Sequence, residues 1–205
     1  MIITSFKNAA VGKGVHTLNA IHLQDINIAI QERTLQNQGD EILEFLNKDI
    51  ALKLEGDANH ILKEFTTHLT EQGLPHGFLL NDLSSLLQRF ETISQISSFR
   101  IFFSTIATNM CRRFHTDVNN LRLLCTYHGP ATLWLPDEIV NRSAYQLGED
   151  NDRWITNPKL IQQANTGDIL LLKGLLHPNG KAVFHRSPSI EEQGNKRLLL
   201  RIDMN

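Results

Sequence analysis

The stretch Phe114-His115-Thr116-Asp117 decides how the second half of this chain is interpreted. In a β-strand, side chains two residues apart project to the same face, so His115 and Asp117 can present an imidazole and a carboxylate to one metal ion. A third ligand has to come from elsewhere in the chain. His185 ends the strand-like run of residues 183–185 and is the natural candidate. The sequence therefore predicts a metal site at His115, Asp117 and His185.

Two histidines and one carboxylate on one side of a metal leave its other side open, which is the arrangement of non-haem Fe(II) oxygenases. Open positions allow a chelating cosubstrate and O₂ to bind. A His-x-Asp pair alone is a weak signal, because short patterns of common residues arise by chance. The order His-x-Asp, intervening strands, His and a last strand that bears Arg is a stronger one, and we interpret the three ligands as the catalytic residues.

The last strand-like run, residues 196–203, carries two arginines on one face. Guanidinium groups on an inward, otherwise apolar face are costly without anionic partners, and a dicarboxylate cosubstrate can supply them through a bidentate contact. We favour the inward orientation for Arg197, whereas for Arg201 an outward orientation, with the alternate leucines in the core, fits equally well. Arg197, Arg201 and Tyr127 are the candidate cofactor-binding residues.

Apolar residues recur at helical spacing between residues 40 and 97, with breaks at residues 56–57 and 73–77. This pattern predicts three amphipathic helices, with Asn81 or Asp82 as the N-cap of the third.

From residue 98 onward, short β-prone runs alternate with turn signals. An apolar alternation at residues 26–30 indicates a further strand in the first half. The polar segment 136–166 interrupts the regular spacing and is predicted to be an insert or a lid. The predicted strands of the second half are residues 99–108, 121–127, 131–135, 169–173, 181–185 and 197–202.

The order of these motifs resembles that of the Fe(II)/2-oxoglutarate-dependent dioxygenase superfamily. The closer resemblance is to an uncharacterised bacterial family, domain-of-unknown-function family 1826. The motifs that carry it are residues 114–135, 167–174, 185–188 and 197–203.

The resemblance implies an α+β fold with a double-stranded β-helix (jelly-roll or cupin-like) core at residues 98–205, preceded by a mainly helical part at residues 1–97 in one domain. It also implies Fe(II) on the three ligands and 2-oxoglutarate held partly by Arg197. The expected activity is hydroxylation of a small-molecule or peptide substrate. A cupin-like metal-binding protein without oxidative turnover, with zinc as the ion, is the alternative.

Other ligand sets remain open. Cys111 and Cys125 could join His115 and Asp117 in a zinc site, although Cys125 alternates with leucines as a buried thiol would. His128 or His177 could replace a ligand. A binding module without any metal is a further possibility.

Composition limits the classes of partner. A chain of 205 residues with 41% hydrophobic residues is typical of one globular domain, and a net charge of -2 does not favour nucleic acid. The apolar stretch at residues 1–7 is too short for a signal sequence, and no run is long enough to cross a bilayer. With only two cysteines, we expect a cytoplasmic protein that does not bind membranes.

Overall fold

A seven-stranded mixed sheet and a three-stranded antiparallel sheet organise the chain in the computed structural model, which describes residues 6–35 and 39–204. The predicted apolar stretch at residues 1–7 lies mostly outside this range. The large sheet has the order β1-β2-β8-β5-β10-β4-β3, in which only β1 and β2 are parallel, and the small sheet has the order β7-β6-β9. The strands are β1 (Ala9–Gly12), β2 (Ile28–Gln31), β3 (Ala51–Gly56), β4 (Phe99–Ile106), β5 (Leu121–His128), β6 (Leu133–Trp134), β7 (Gln162–Gln163), β8 (Ile169–Lys173), β9 (His185–Arg186) and β10 (Arg197–Met204).

Five α-helices accompany the sheets in the described residues, so the predicted α+β class is confirmed. None of these helices combines the length and the hydropathy needed to cross a bilayer. The helices are α1 (Gly39–Leu46), α2 (Ala58–Glu71), α3 (Gly77–Ser94), α4 (Arg142–Gln146) and α5 (Asn151–Trp154), with 3₁₀ segments at Val15–His22, Asp137–Ile139, Pro158–Leu160 and Glu191–Gln193.

The three helices predicted between residues 40 and 97 are present, but their boundaries differ from the sequence prediction in two respects. Strand β3 lies between α1 and α2, so this half of the chain is not purely helical. Helix α3 begins at Gly77, which places Asn81 and Asp82 inside it, and the predicted N-cap was wrong. The carboxylate of Glu41, on α1, instead accepts hydrogen bonds from two backbone amides in the first turn of α3. A cap supplied by another helix leaves no local signal in the sequence.

The large sheet is buried on both faces. Alternate residues of β5 show this, because Leu123 packs in the cluster formed with α1, α2 and α3, whereas Leu124 packs in the cluster that contains Trp134 of the small sheet. On β10, Leu198 and Leu200 take the helix side. The residues of β10 that alternate with these leucines, such as Arg197, therefore face the side of the small sheet.

The insert at residues 136–166 packs against the strands that carry the two predicted histidine ligands. Its Trp154 lies in a buried cluster with Phe114 and Phe184, the residues that directly precede His115 and His185. Neighbouring residues of an extended segment point to opposite faces, so the insert packs on the face of each segment that is opposite to the histidine side chain. This packing gives no support to the predicted role as a lid.

Candidate metal centre

The main chain brings His115 and His185 together. Each backbone N–H donates to the carbonyl of the other residue, at 3.1 and 3.0 Å, and this single antiparallel bridge extends the small sheet beyond β9. The two imidazole rings consequently lie side by side, with centroids 4.7 Å apart. The sequence predicted this meeting of residues that are 70 positions apart.

Asp117 completes the group from the loop that leads into β5. Its Oδ2 lies 3.3 Å from His185 Nε2, and its Oδ1 lies 3.7 Å from His115 Nε2. The backbone carbonyl of Asp117 accepts a hydrogen bond from Leu175 at 2.8 Å, which fixes this part of the loop. The potential ligand atoms of the three residues all lie within 4.8 Å of one another.

Backbone carbonyls set the orientation of both imidazoles. Nδ1 of His115 is 3.1 Å from the carbonyl of Arg113, and Nδ1 of His185 is 3.3 Å from the carbonyl of Val183. A carbonyl can only accept, so each Nδ1 carries the proton in these contacts and each Nε2 keeps a lone pair. The lone pairs face the Asp117 carboxylate, which is the tautomer that binds a metal through Nε2.

The donor set and its spacing fit a divalent ion. Two ligand atoms about 2.1 Å from one ion, at angles of 90° to 110°, are about 3.0 to 3.4 Å apart, close to the separations of Asp117 from His185 and His115. Oδ2 of Asp117 is also buried, and Arg122 Nη1 lies 2.6 Å from it.

The protonation states also suit metal binding. Burial, followed by the neighbouring His185, lowers the pKa of His115, so this ring is neutral at pH 7. Burial alone would raise the pKa of Asp117, but its proximity to His185 and to the charge of Arg122 lowers it overall. The site therefore offers a neutral imidazole and an ionised carboxylate, which are the forms that bind metals.

Arg122 is a member of the site that the sequence analysis missed. It lies on β5, where its Nη1 is 2.6 Å from Asp117 Oδ2 while its Nε and Nη2 donate to Asp203 on β10 at 2.6 and 3.2 Å. Burial alone would lower the pKa of Arg122, but the bonds and charges of Asp203 and Asp117 raise it overall. Arg122 stands on the opposite face of β5 from Leu121 and Leu123. This alternation along the strand was the one feature of the sequence that could have indicated that Arg122 faces the site.

Arg197 faces inward, as the sequence analysis favoured. It is 1% exposed, and its Nη2 donates to Thr126 Oγ1 at 3.2 Å, while its Nε is buried without a hydrogen bond to any described residue. No acidic side chain of the described residues pairs with it, and burial alone lowers the pKa of Arg197 to about 10. A buried cation without an anion is costly unless a ligand supplies the charge.

The glycine at position 129 allows this close packing around Arg197. Gly129 has a φ of 78°, and a methyl group there would overlap the carbonyl of Lys196 and approach the side chain of Arg197.

A narrow cavity of about 60 Å³ joins Arg197 to the two histidines. Arg201 also lines it, but this side chain is 37% exposed, lies over the ring of Phe102 and has its Nε 3.0 Å from Asp203 Oδ2. Arg201 thus has an acidic neighbour that Arg197 lacks. The cavity is lined by Met110, Cys111, His115, Arg122, Leu124, Thr132, His185, Arg186, Ser187, Arg197, Leu199 and Arg201.

Tyr127 lies elsewhere, which corrects its predicted place among the cofactor-binding residues. It projects from β5 to the helix side of the large sheet, where its hydroxyl donates to Asp82 Oδ2 at 2.6 Å. Arg33 binds the same carboxylate through both terminal nitrogens. The pKa of Tyr127 is raised by burial, as expected for a structural hydroxyl in a packed network.

The structure does not assemble the alternative ligand sets. Cys125 lies on the helix side of β5, and its burial raises the pKa of the thiol to about 11, whereas Cys111 is exposed beside the cavity. Nδ1 of His177 contacts the backbone of Asn179 and not the metal-binding group. Within residues 6–35 and 39–204, the group His115, Asp117 and His185 is the one cluster of three such side chains close enough for a shared ion.

A family model described as "Protein of unknown function (DUF1826)" matches residues 12–203. The chain belongs to the DUF1826 family. The resemblance to this family in the sequence motifs is thereby confirmed.

Several solved structures show a distant similarity. The Arabidopsis thaliana dioxygenase for auxin oxidation 1, in its 2-oxoglutarate complex, is 10% identical with a TM-score of 0.44, over 75% of this chain and 61% of that one. The rice dioxygenase for auxin oxidation is 11% identical with a TM-score of 0.46, over 87% and 73% of the two chains. A Pseudomonas putida prolyl-4-hydroxylase is 11% identical with a TM-score of 0.46, over 92% of each chain. Similarity at this level assigns no activity, and no curated protein matches the sequence.

Proposed function

We propose that this protein is an Fe(II)- and 2-oxoglutarate-dependent oxygenase. The observation that carries the proposal is that the two histidines of the His115, Asp117 and His185 group share one cavity with Arg197, a buried arginine that has no acidic partner among the described residues. The three ligands fit Fe(II) with open positions, and Arg197 fits the carboxylate of a dicarboxylate cosubstrate.

The path of the chain supports a double-stranded β-helix as the core of one domain. After β4 in the large sheet, the chain visits the small sheet at His115, returns to β5, crosses to β6 and β7, returns to β8, crosses to β9 and ends at β10. The strands from β4 to β10 thereby form two facing sheets with alternating membership, as a jelly roll requires.

Bound Fe(II) and 2-oxoglutarate would supply the oxidising chemistry, in which O₂ oxidises 2-oxoglutarate to succinate and CO₂ and hydroxylates a C–H bond of the substrate. The protein would provide the metal ligands and the orientation of the cosubstrate. His115 and His185 offer Nε2 lone pairs, because both Nδ1 protons face carbonyls. Arg197 binds a carboxylate through its free Nε, while Thr126 holds its Nη2 in place.

The buried, apolar side chains of Leu124 and Leu199 line the cavity that contains Arg197. A charge-assisted hydrogen bond is stronger in such surroundings than in water. A small molecule or a peptide side chain is the expected substrate, since the cavity is narrow.

Release of succinate from 2-oxoglutarate in the presence of Fe(II) and O₂ tests the proposal. We expect turnover in the wild type and loss of turnover in His115→Ala. His128→Ala is the matched control, because this histidine ends β5 outside the metal-binding group and its replacement should leave the rate unchanged. Equal rates in the wild type and in His115→Ala would refute the proposal.

The same three ligands would also serve a zinc-binding protein of the cupin type without oxidative turnover. Metal analysis and titration with 2-oxoglutarate separate the two functions. Tight binding of zinc, with no response to 2-oxoglutarate in the Fe(II)-loaded protein, would favour the zinc-binding function.

A further inference from the structure

Arg122 links the metal-binding group to the large sheet through three short contacts. Its Nε and Nη2 hold the two oxygens of Asp203, and the remaining terminal nitrogen, Nη1, lies 2.6 Å from Asp117 Oδ2. Guanidinium is planar and rigid, so anchoring one edge on Asp203 fixes where the other edge points.

The anchor itself is rigid. Arg122 and Asp203 are direct partners in the ladder between β5 and β10, and Asn119 Nδ2 donates to Asp203 Oδ1 at 3.3 Å. Asp117, by contrast, lies in the connection between the His115 bridge and β5 and has no strand partner of its own. A ligand on a connecting segment depends on its neighbours for orientation more than a ligand on a strand does.

We propose that Arg122, held by Asp203, is a positioning residue that orients the Asp117 carboxylate and thereby sets the affinity of the metal centre. The inference rests on the metal site of the proposed function, but it does not depend on turnover of 2-oxoglutarate. Arg122 acts through Asp117 and does not touch the ion.

Two effects of Arg122 on a bound cation have opposite signs. Its positive charge repels the ion, whereas its contact with Asp117 keeps this ligand in place. Asp203 offsets the charge of Arg122 at the same short range, so the repulsion is weakened while the orientation remains. The orientation effect therefore dominates, and removal of Arg122 weakens metal binding.

Titration with Mn(II), followed by the electron paramagnetic resonance signal of the free ion, measures this effect without turnover. Replacement of a residue that orients a metal ligand typically costs about 10- to 100-fold in affinity. We expect an increase of this size in the Mn(II) Kd of Arg122→Met. Arg122→Lys keeps the positive charge but loses the planar guanidinium that contacts both carboxylates, so its Mn(II) affinity should lie between those of Arg122→Met and the wild type. Asp203→Asn should weaken Mn(II) binding, as Arg122→Met does.

Arg33→Met is the matched control. Arg33 also forms a two-pronged, partly buried ion pair, with Asp82, but on the helix side of the sheet. Its replacement should lower the Tm and leave the Mn(II) Kd unchanged. Arg122→Met should change the Mn(II) Kd, and the resonance line shape of bound Mn(II) should change as well, which a purely structural role would not cause.

Unchanged or tighter Mn(II) binding by folded Arg122→Met overturns the inference. If this variant does not fold, Arg122→Lys and Asp203→Asn decide in its place, and wild-type affinity in both overturns it. A wild type that binds Mn(II) but does not convert 2-oxoglutarate refutes the oxygenase alone. A wild type that binds no divalent metal refutes both.

Discussion

Replacing Arg197 by Met should stabilise the ligand-free protein while it impairs binding of 2-oxoglutarate. Burial lowers the pKa of Arg197 to about 10, well below the ordinary value for arginine, and each pKa unit is about 1.4 kcal/mol, so keeping this side chain charged costs about 3 kcal/mol. Its side-chain hydrogen bond to Thr126 returns about 1 to 2 kcal/mol. Methionine keeps most of the apolar stem, so the variant should gain about 1 to 2 kcal/mol, or a few degrees in Tm.

The same substitution removes the proposed partner of the cosubstrate carboxylate. Truncating one member of a buried charge pair costs about 2 to 5 kcal/mol, and at about 3 kcal/mol the Kd rises roughly a hundredfold. Differential scanning calorimetry of the metal-free protein measures the first effect. Isothermal titration of the Mn(II)-loaded protein with 2-oxoglutarate measures the second.

Opposite signs for stability and affinity are the signature of a residue retained for binding. Arg201→Met is the control, because this side chain is partly exposed and has Asp203 as a neighbour, so its replacement should not raise the Tm. A large loss of stability in Arg197→Met, together with unchanged 2-oxoglutarate affinity, would show that Arg197 is structural and would refute the reasoning.

Three further predictions concern the surroundings of the site. The pKa of His115 in the folded protein lies below its unfolded value near 6.5, so the unfolded chain binds this proton first as the pH falls. Urea unfolding of the metal-free protein should therefore show a free energy of unfolding that decreases as the pH drops below about 6.5. The decrease should be smaller in His115→Gln. Tyr127→Phe removes one of the hydrogen bonds to the Asp82 carboxylate, which then keeps only those from Arg33, and should cost about 1 to 3 kcal/mol of stability. A changed 2-oxoglutarate Kd in this variant would show instead that Tyr127 contributes to cosubstrate binding. Gly174→Ala places a methyl group against the Asn119 backbone and should weaken Mn(II) binding about tenfold through displacement of the loop; an unchanged Kd would contradict this.

The periodic patterns predicted most of the fold because they report burial directly. Leu83, Leu87 and Phe90 recur at helical spacing, and all three pack beneath the large sheet. Strand β3 was missed because its short alternating pattern, with Leu52 and Leu54, lies between two strongly helical segments.

The sequence predicted the three clustered ligands, but it could not predict the residues that reach them across strands. Arg122 meets Asp203 because β5 and β10 pair in a particular register, which the sequence does not state. Tyr127 was the avoidable error, since it shares strand parity with Cys125, which the sequence already indicated to be a core residue.

The proposed oxygenase function requires that His115, Asp117 and His185 bind Fe(II) in a form that accepts 2-oxoglutarate. Chelation of Fe(II) by the 2-oxo acid produces a visible charge-transfer band, which anaerobic titration of the Fe(II)-loaded protein with 2-oxoglutarate can follow. We predict a band that saturates at one equivalent of Fe(II) in the wild type and is absent from His185→Ala. Absence of the band in the wild type, or an equal band in both proteins, would contradict the claim.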